Sequence, residues 1–107
     1  MTEKIIHIKP NNQNIETWVA INNDEVVGHI YMMIENDRRI KFLDAWVHPE
    51  HRRKGIYRNL WETRWSHVNE NYKGYLVYAW CKDSSLQLLT EKGFESGDIC
   101  TYVEKVI

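Results

Sequence analysis

The feature that most restricts how this chain can fold is a change of hydrophobic period on either side of Pro49. From Ile40 to His48, Phe42, Asp44, Trp46 and His48 alternate with Lys41, Leu43, Ala45 and Val47, the period-two pattern of a strand. From Ile56 onward Leu60, Trp61, Trp65 and Val68 recur three to four apart, which places them on one helical face, while Glu62, Arg64 and Glu70 fall mostly elsewhere. Pro49 has no N–H for a ladder and ends the strand. Glu50 to Lys54 is a polar, strongly basic connection, and Gly55 marks the helix start. A strand, a basic loop and a helix therefore follow one another within about thirty residues. Backbone N–H groups in the first turn of a helix have no intrahelical partner, the helix dipole adds partial positive charge there, and a glycine lets an anion approach the backbone. Arg52, Arg53, Lys54 and Arg58 add four cations, so the segment suits a diphosphate better than a lone carboxylate.

The rest of the chain supplies strands on both sides of this unit. Lys4 to Lys9 is a short β-branched run broken by Pro10 and the asparagines after it, which predicts a brief edge strand. Ile15 to Ile21 and Val26 to Glu35 read as an antiparallel hairpin joined by Asn22-Asn23-Asp24-Glu25. Asn36-Asp37-Arg38-Arg39 is a second turn, so three strands run as a meander into Pro49. Tyr75 to Trp80 is an aromatic, β-branched run suited to a buried strand. Asp83, Ser84 or Ser85 can cap a second helix carrying Leu86, Leu88 and Leu89, Gly93 is a natural stop for it, and Ile99 to Ile107 closes the chain as a last strand. The predicted fold class is α+β (α/β mixed sheet), one domain over residues 1–107 with helices packed on the sheet.

Composition narrows the function. The chain has 107 residues and a formal net charge of -1, which argues against chain-wide attraction to nucleic acid or anionic membrane, so a polyanion site must be local. Five Trp and six Tyr offer large side chains to bury, and core packing is the expected role of Trp46, Trp61, Trp65, Trp80 and Tyr78. Cys81 and Cys100 have no metal or redox spacing, the N-terminus lacks the apolar core of a signal peptide, and no apolar run suits a bilayer. A reducing cytoplasm is the expected location. His29, His48 and His51 match no standard zinc spacing, and no metal is expected; Cys81 is expected as a buried filler.

Arg52-Arg53-Lys54-Gly55-Ile56-Tyr57 resembles the acyl-CoA signature of the GNAT acyltransferase superfamily: Arg or Gln, two residues, Gly, one residue, then Gly or Ala. The flanking Val47-His48-Pro49-Glu50 and Leu60 also look like that family's strand, turn and helix. Tyr57 stands where the family has a small residue. Ser85 to Phe94 looks like the family's helix beside the CoA thiol, with its Gly93-Phe94 ending, and Tyr102 to Ile107 like its terminal strand. Many members carry a general-acid Tyr four residues before that glycine; Leu89 is here instead. The fourteen residues before Ile15 leave no room for the family's N-terminal strand and two helices, so the resemblance implies an acceptor side that is open or completed by a second subunit.

The resemblance implies a GNAT-like fold and acetyl transfer from acetyl-CoA to a primary amine by direct attack, with no metal. The backbone around Trp46 and Val47 would pair with the pantetheine arm, the amides of Arg53, Lys54, Gly55, Ile56 and Tyr57 would hold the pyrophosphate with Arg52 beside them, and Ser85 would lie near the cosubstrate. Asp44 is the candidate base, since related sequences often carry an acid there, although the adjacent Leu43 replaces a frequent Glu; His29, Tyr31 and Glu35 lie on the neighbouring strand. A small-molecule or protein amine is the implied acceptor. Two alternatives stand beside this one: a GNAT-fold protein that binds CoA without efficient turnover, and a small nucleic-acid-binding module using the basic loop.

Overall fold

The structure is a computed structural model, and it describes residues 3–80, 89–96 and 102–107. β1 (Lys4–Ile8), β2 (Ile15–Asn22), β3 (Glu25–Glu35) and β4 (Arg39–Val47) form an antiparallel run. Between β2 and β3, Asn23 and Asp24 both have positive φ, the left-handed pair a two-residue hairpin turn needs and that Asn and Asp tolerate. Asp37 and Arg38 do the same between β3 and β4. α1 (Ile56–Asn71) crosses over to β5 (Leu76–Trp80), which pairs parallel with β4. β7 (Tyr102–Val106) then pairs antiparallel with β5, and the two-residue β6 (Glu95–Ser96), absent from the sequence expectation, pairs with β7. The sheet order is β1-β2-β3-β4-β5-β7-β6.

The core lies between one sheet face and α1. Trp18 and Ala20 from β2, Ile30 and Met32 from β3, Ile40 and Phe42 from β4, and Val77 and Ala79 from β5 meet Ile56, Leu60, Trp61 and Val68 of the helix. Burying aliphatic and aromatic side chains of this kind contributes about 1.5–3 kcal/mol each before the entropy cost of ordering them. Gly28 lets the helix come close: a Cβ there would sit 3.0 Å from the Trp46 carbonyl oxygen and 3.2 and 3.3 Å from Leu60 and Ile56. The helix ends at Tyr72, whose N–H donates to the Val68 carbonyl. Residues 89–91 are helical and Gly93 has a φ of 89°, as expected for a stop there, while Leu89 and Phe94 join the core. The start of that second helix, with Ser85, and the two cysteines lie outside the described residues.

Among the described residues no helix covers the other sheet face. Two tryptophans expected in the core are consequently exposed on it: Trp46 is 37% and Trp80 53% exposed. Trp61 is buried, as expected, and Trp65 packs on the core edge. No helix among the described residues is long and apolar enough to cross a membrane.

Candidate active site

β4 does not keep the strict alternation its sequence suggests. Met32 pairs with Phe42 but Ile30 pairs with Ala45, so β3 advances two residues while β4 advances three. The extra residue is a β-bulge opposite Tyr31. It turns Phe42 toward α1 and leaves Asp44 and Trp46 on the opposite face, correcting the expectation that all three share one side. The bulge also frees backbone groups. Arg64, expected away from the core face, fills this gap: it is 2% exposed, donates from Nη1 to the Tyr31 carbonyl at 2.7 Å, and approaches the Leu43 carbonyl at 3.5 Å. Its guanidinium lies 3.7 Å from the centre of the Phe42 ring. Burial pulls its pKa down to about 9, with the nearby Tyr57 acting in the other direction, so the group remains cationic at neutral pH.

Beyond the bulge β4 and β5 part. Their parallel ladder runs only from Arg39↔Leu76 to Phe42↔Ala79, while β4 stays paired with β3 as far as Val47. The β5-facing edge of Leu43 to Val47 thus has no strand neighbour among the described residues, which leaves a wedge for an extended chain. At its mouth, on the open sheet face, a cleft of about 500 Å³ is lined by Tyr31, Lys41, Leu43, Asp44 and Trp80, with Ile15 and Phe42 at its edge. Asp44 is exposed there. His29 stacks on Trp46, with ring centres 5.3 Å apart, and its Nε2 lies 3.4 Å from the Tyr31 hydroxyl. Glu35 accepts from the Tyr78 hydroxyl at 2.6 Å, further along the face.

The basic loop runs from the end of β4 to α1. The His48 N–H donates to the Val27 carbonyl at 2.8 Å, and Arg52 Nε donates back to the Val47 carbonyl at 3.0 Å, closing the loop on the strand it leaves. Arg53 and Gly55 have φ values of 64° and 82°. Gly55 is the N-cap of α1 and has no side chain to cap it, so the first-turn amides of the helix receive no cap bond from that position. A Cβ on Gly55 would meet nothing within 4 Å, so the space over these amides is open. Arg52, Arg53 and Lys54 are exposed around it. Arg58 is engaged differently from the sequence expectation: it lies 3.9 Å from Glu91. Tyr57 packs against the core and near Arg64, which turns its ring inward and leaves the cradle uncrowded. Leu89, at the place of the frequent general-acid Tyr, is 3% exposed and belongs to the core.

Of the expected site residues, Val47 to Tyr57 form one continuous rim and Asp44 and Trp46 the wall beside it, while Ser85 lies outside the described residues. Arg64, Lys41 and Trp80 were missed. A charged residue inside a helical apolar stripe was the available signal for Arg64; nothing in local pattern marks the other two.

The acetyltransferase (GNAT) domain model matches residues 13–96. No curated protein sequence matches the chain. Among solved structures, a candidate acyl-CoA N-acyltransferase from Klebsiella pneumoniae superposes with a TM-score of 0.71 at 11% identity, over 97% of this chain and 97% of that one. The IAA acetyltransferase of Bacillus cereus gives 0.68 at 15% identity, over 96% of each chain. A GNAT family acetyltransferase of Brucella melitensis, solved in complex with acetyl-CoA, gives 0.68 at 14% identity, over 86% of this chain and 58% of that one. The family model spans most of the chain, so this protein belongs to the GNAT acetyltransferase family.

Proposed function

We propose that the protein transfers an acetyl group from acetyl-CoA to a primary amine by direct attack. The observation that carries this reading is the continuity of the open amides at the α1 N-terminus with the wedge between β4 and β5. One feature suits a diphosphate and the other an extended amide-bearing arm, and they adjoin. Acetyl-CoA supplies the activated acyl group: the amine nitrogen forms the C–N bond, the C–S bond breaks, and the proton lost by the amine balances the thiolate.

This chain's residues divide that work. The amides from Arg53 to Tyr57 bind the pyrophosphate, with Arg52, Arg53 and Lys54 adding charge. The free edge around Trp46 and Val47 pairs with the pantetheine arm and brings the thioester to the bulge. Arg64, a buried cation beneath the bulge, reinforces positive potential where the carbonyl oxygen gains charge. Asp44, on the cleft wall, takes the amine proton directly or through a water. With Leu89 buried, solvent at the open cleft returns a proton to the thiolate.

The acceptor is a small-molecule or protein amine that enters over the open sheet face, and a second copy of the chain completes that side. The test is thiol release from acetyl-CoA across a panel of amines. Turnover that falls about 100-fold in Asp44→Asn, with acetyl-CoA affinity unchanged, supports the assignment. Saturable CoA binding with no turnover on any amine would instead favour a binding protein without catalysis.

A further inference from the structure

On the α1 side of the sheet, far along the helix from Gly55, three elements bring two imidazoles and a carboxylate to one point. Glu16 of β2 is 1% exposed. His7 of β1 directs Nε2 at its Oε2, and His67 of α1 places Nε2 2.7 Å from the same oxygen. The three ligand atoms lie within 4.8 Å of one another. Tyr72 donates its hydroxyl to the other carboxylate oxygen at 3.1 Å, and burial together with the carboxylate pushes the phenol up to about 12, so it remains a donor. His7 is stacked on Trp18, which fixes its ring.

A buried carboxylate needs a compensating charge. Among the described residues no Lys or Arg pairs with Glu16; its ion-pair partners are the two imidazoles alone. They compensate it only when protonated, and two imidazolium rings with centres 4.6 Å apart repel each other. Neutral imidazoles in the Nδ1–H tautomer present two Nε2 lone pairs beside an anionic oxygen, which is a ligand set. We infer that His7, Glu16 and His67 form a binding site for a borderline divalent transition-metal ion, of which Zn2+ is the best match.

Two nitrogens and one carboxylate oxygen suit zinc, cobalt or nickel, whereas magnesium and calcium take oxygen shells. In a tetrahedral zinc site neighbouring ligand atoms stand about 3.3 Å apart, so seating the ion requires the carboxylate to draw back slightly and the two imidazole nitrogens, within 4.8 Å of each other, to close on it. Both imidazoles are partly exposed, which gives the ion a path in and leaves a fourth position for water. The Tyr72 hydroxyl is the outer partner that orients the ligating carboxylate. Bound there, the ion clips the edge strand β1 to the C-terminal half of α1. The spacing of residues 7, 16 and 67 fits no linear motif, which is why the sequence does not display the site.

The test is calorimetric titration of the EDTA-stripped protein with Zn2+ near neutral pH, repeated with Co2+ to read coordination from its absorption. The expected result is one ion per chain, proton release, a four-coordinate Co2+ spectrum, no competition by Mg2+, and a Tm raised by about 10 °C at free Zn2+ a hundredfold above Kd. His7→Gln and His67→Gln, each checked for folding by circular dichroism, should weaken binding at least tenfold. The double variant His48→Gln, His51→Gln, which removes a nearby-spaced histidine pair elsewhere, should retain it. Absence of saturable binding would overturn the site, as would full affinity in folded His7→Gln and His67→Gln. None of these readouts depends on acetyl-CoA.

Discussion

Arg64 carries an unusual share of the local architecture for one side chain. Its guanidinium serves the Tyr31 carbonyl that the bulge removes from the β3–β4 ladder, and it does so while buried, with no carboxylate paired to it among the described residues. Two effects oppose each other in Arg64→Met: relief from burying a cation, and a carbonyl left without a donor. A charge-assisted hydrogen bond contributes about 1.5–3 kcal/mol and the orphaned carbonyl adds its own penalty, so the variant should lose about 2 kcal/mol in urea unfolding. Unchanged stability would mean that desolvation of the cation outweighs the bond. At this scale the sequence was partly legible. Val47 to Tyr57 stood out because a Gly beside clustered cations at a strand-to-helix junction is a local pattern. Arg64 left only a charge inside a helical apolar stripe as its signal, because its role depends on a bulge whose carbonyls lie more than twenty positions away.

At the scale of elements, the close seat of α1 on β3 sets where the open amides point. Gly28→Ala would place a Cβ 3.0 Å from the Trp46 carbonyl oxygen, a backbone atom that cannot step aside alone, so the helix must lift at its N-terminal end. Overpacking of this kind costs about 1–3 kcal/mol, and thermal melts should show it together with weakened acetyl-CoA affinity. Leu89→Tyr tests another element. In a chain where position 89 faced the thiol, the phenol would raise turnover; here Leu89 is in the core, so the substitution should lower Tm without raising kcat. Strands, turns and helix were readable because each has a local period or a left-handed Asn or Asp turn. The phase of β4 was not, since one inserted residue exchanges its faces without changing its composition, and that exchange put Trp46 in solvent.

For the whole molecule the consequence is an asymmetric sheet: one face closed by α1, the other bearing Trp46, Trp80 and the Asp44 cleft with no helix over it among the described residues. The adjacency of β2, β3 and β4 was legible from the meander, but β6 and the face that remained open followed only from the structure. An open face with exposed tryptophans beside the cleft motivates a second copy as its cover. Sedimentation equilibrium should then give a dimer at micromolar concentration, and Trp80→Glu should dissociate it; a monomer across that range would contradict this assembly.

On the proposed reading, the α1 N-terminus and the β4–β5 wedge act together as one acyl-CoA site. Isothermal titration of acetyl-CoA, with ADP as comparison, tests it most directly. Saturable 1:1 binding that exceeds ADP affinity and falls at least tenfold in Gly55→Asp, whose side chain would set a carboxylate over the open amides, is the predicted result. Equal affinity for ADP and acetyl-CoA would contradict a role for the wedge, and undiminished binding by Gly55→Asp would contradict a role for the first-turn amides.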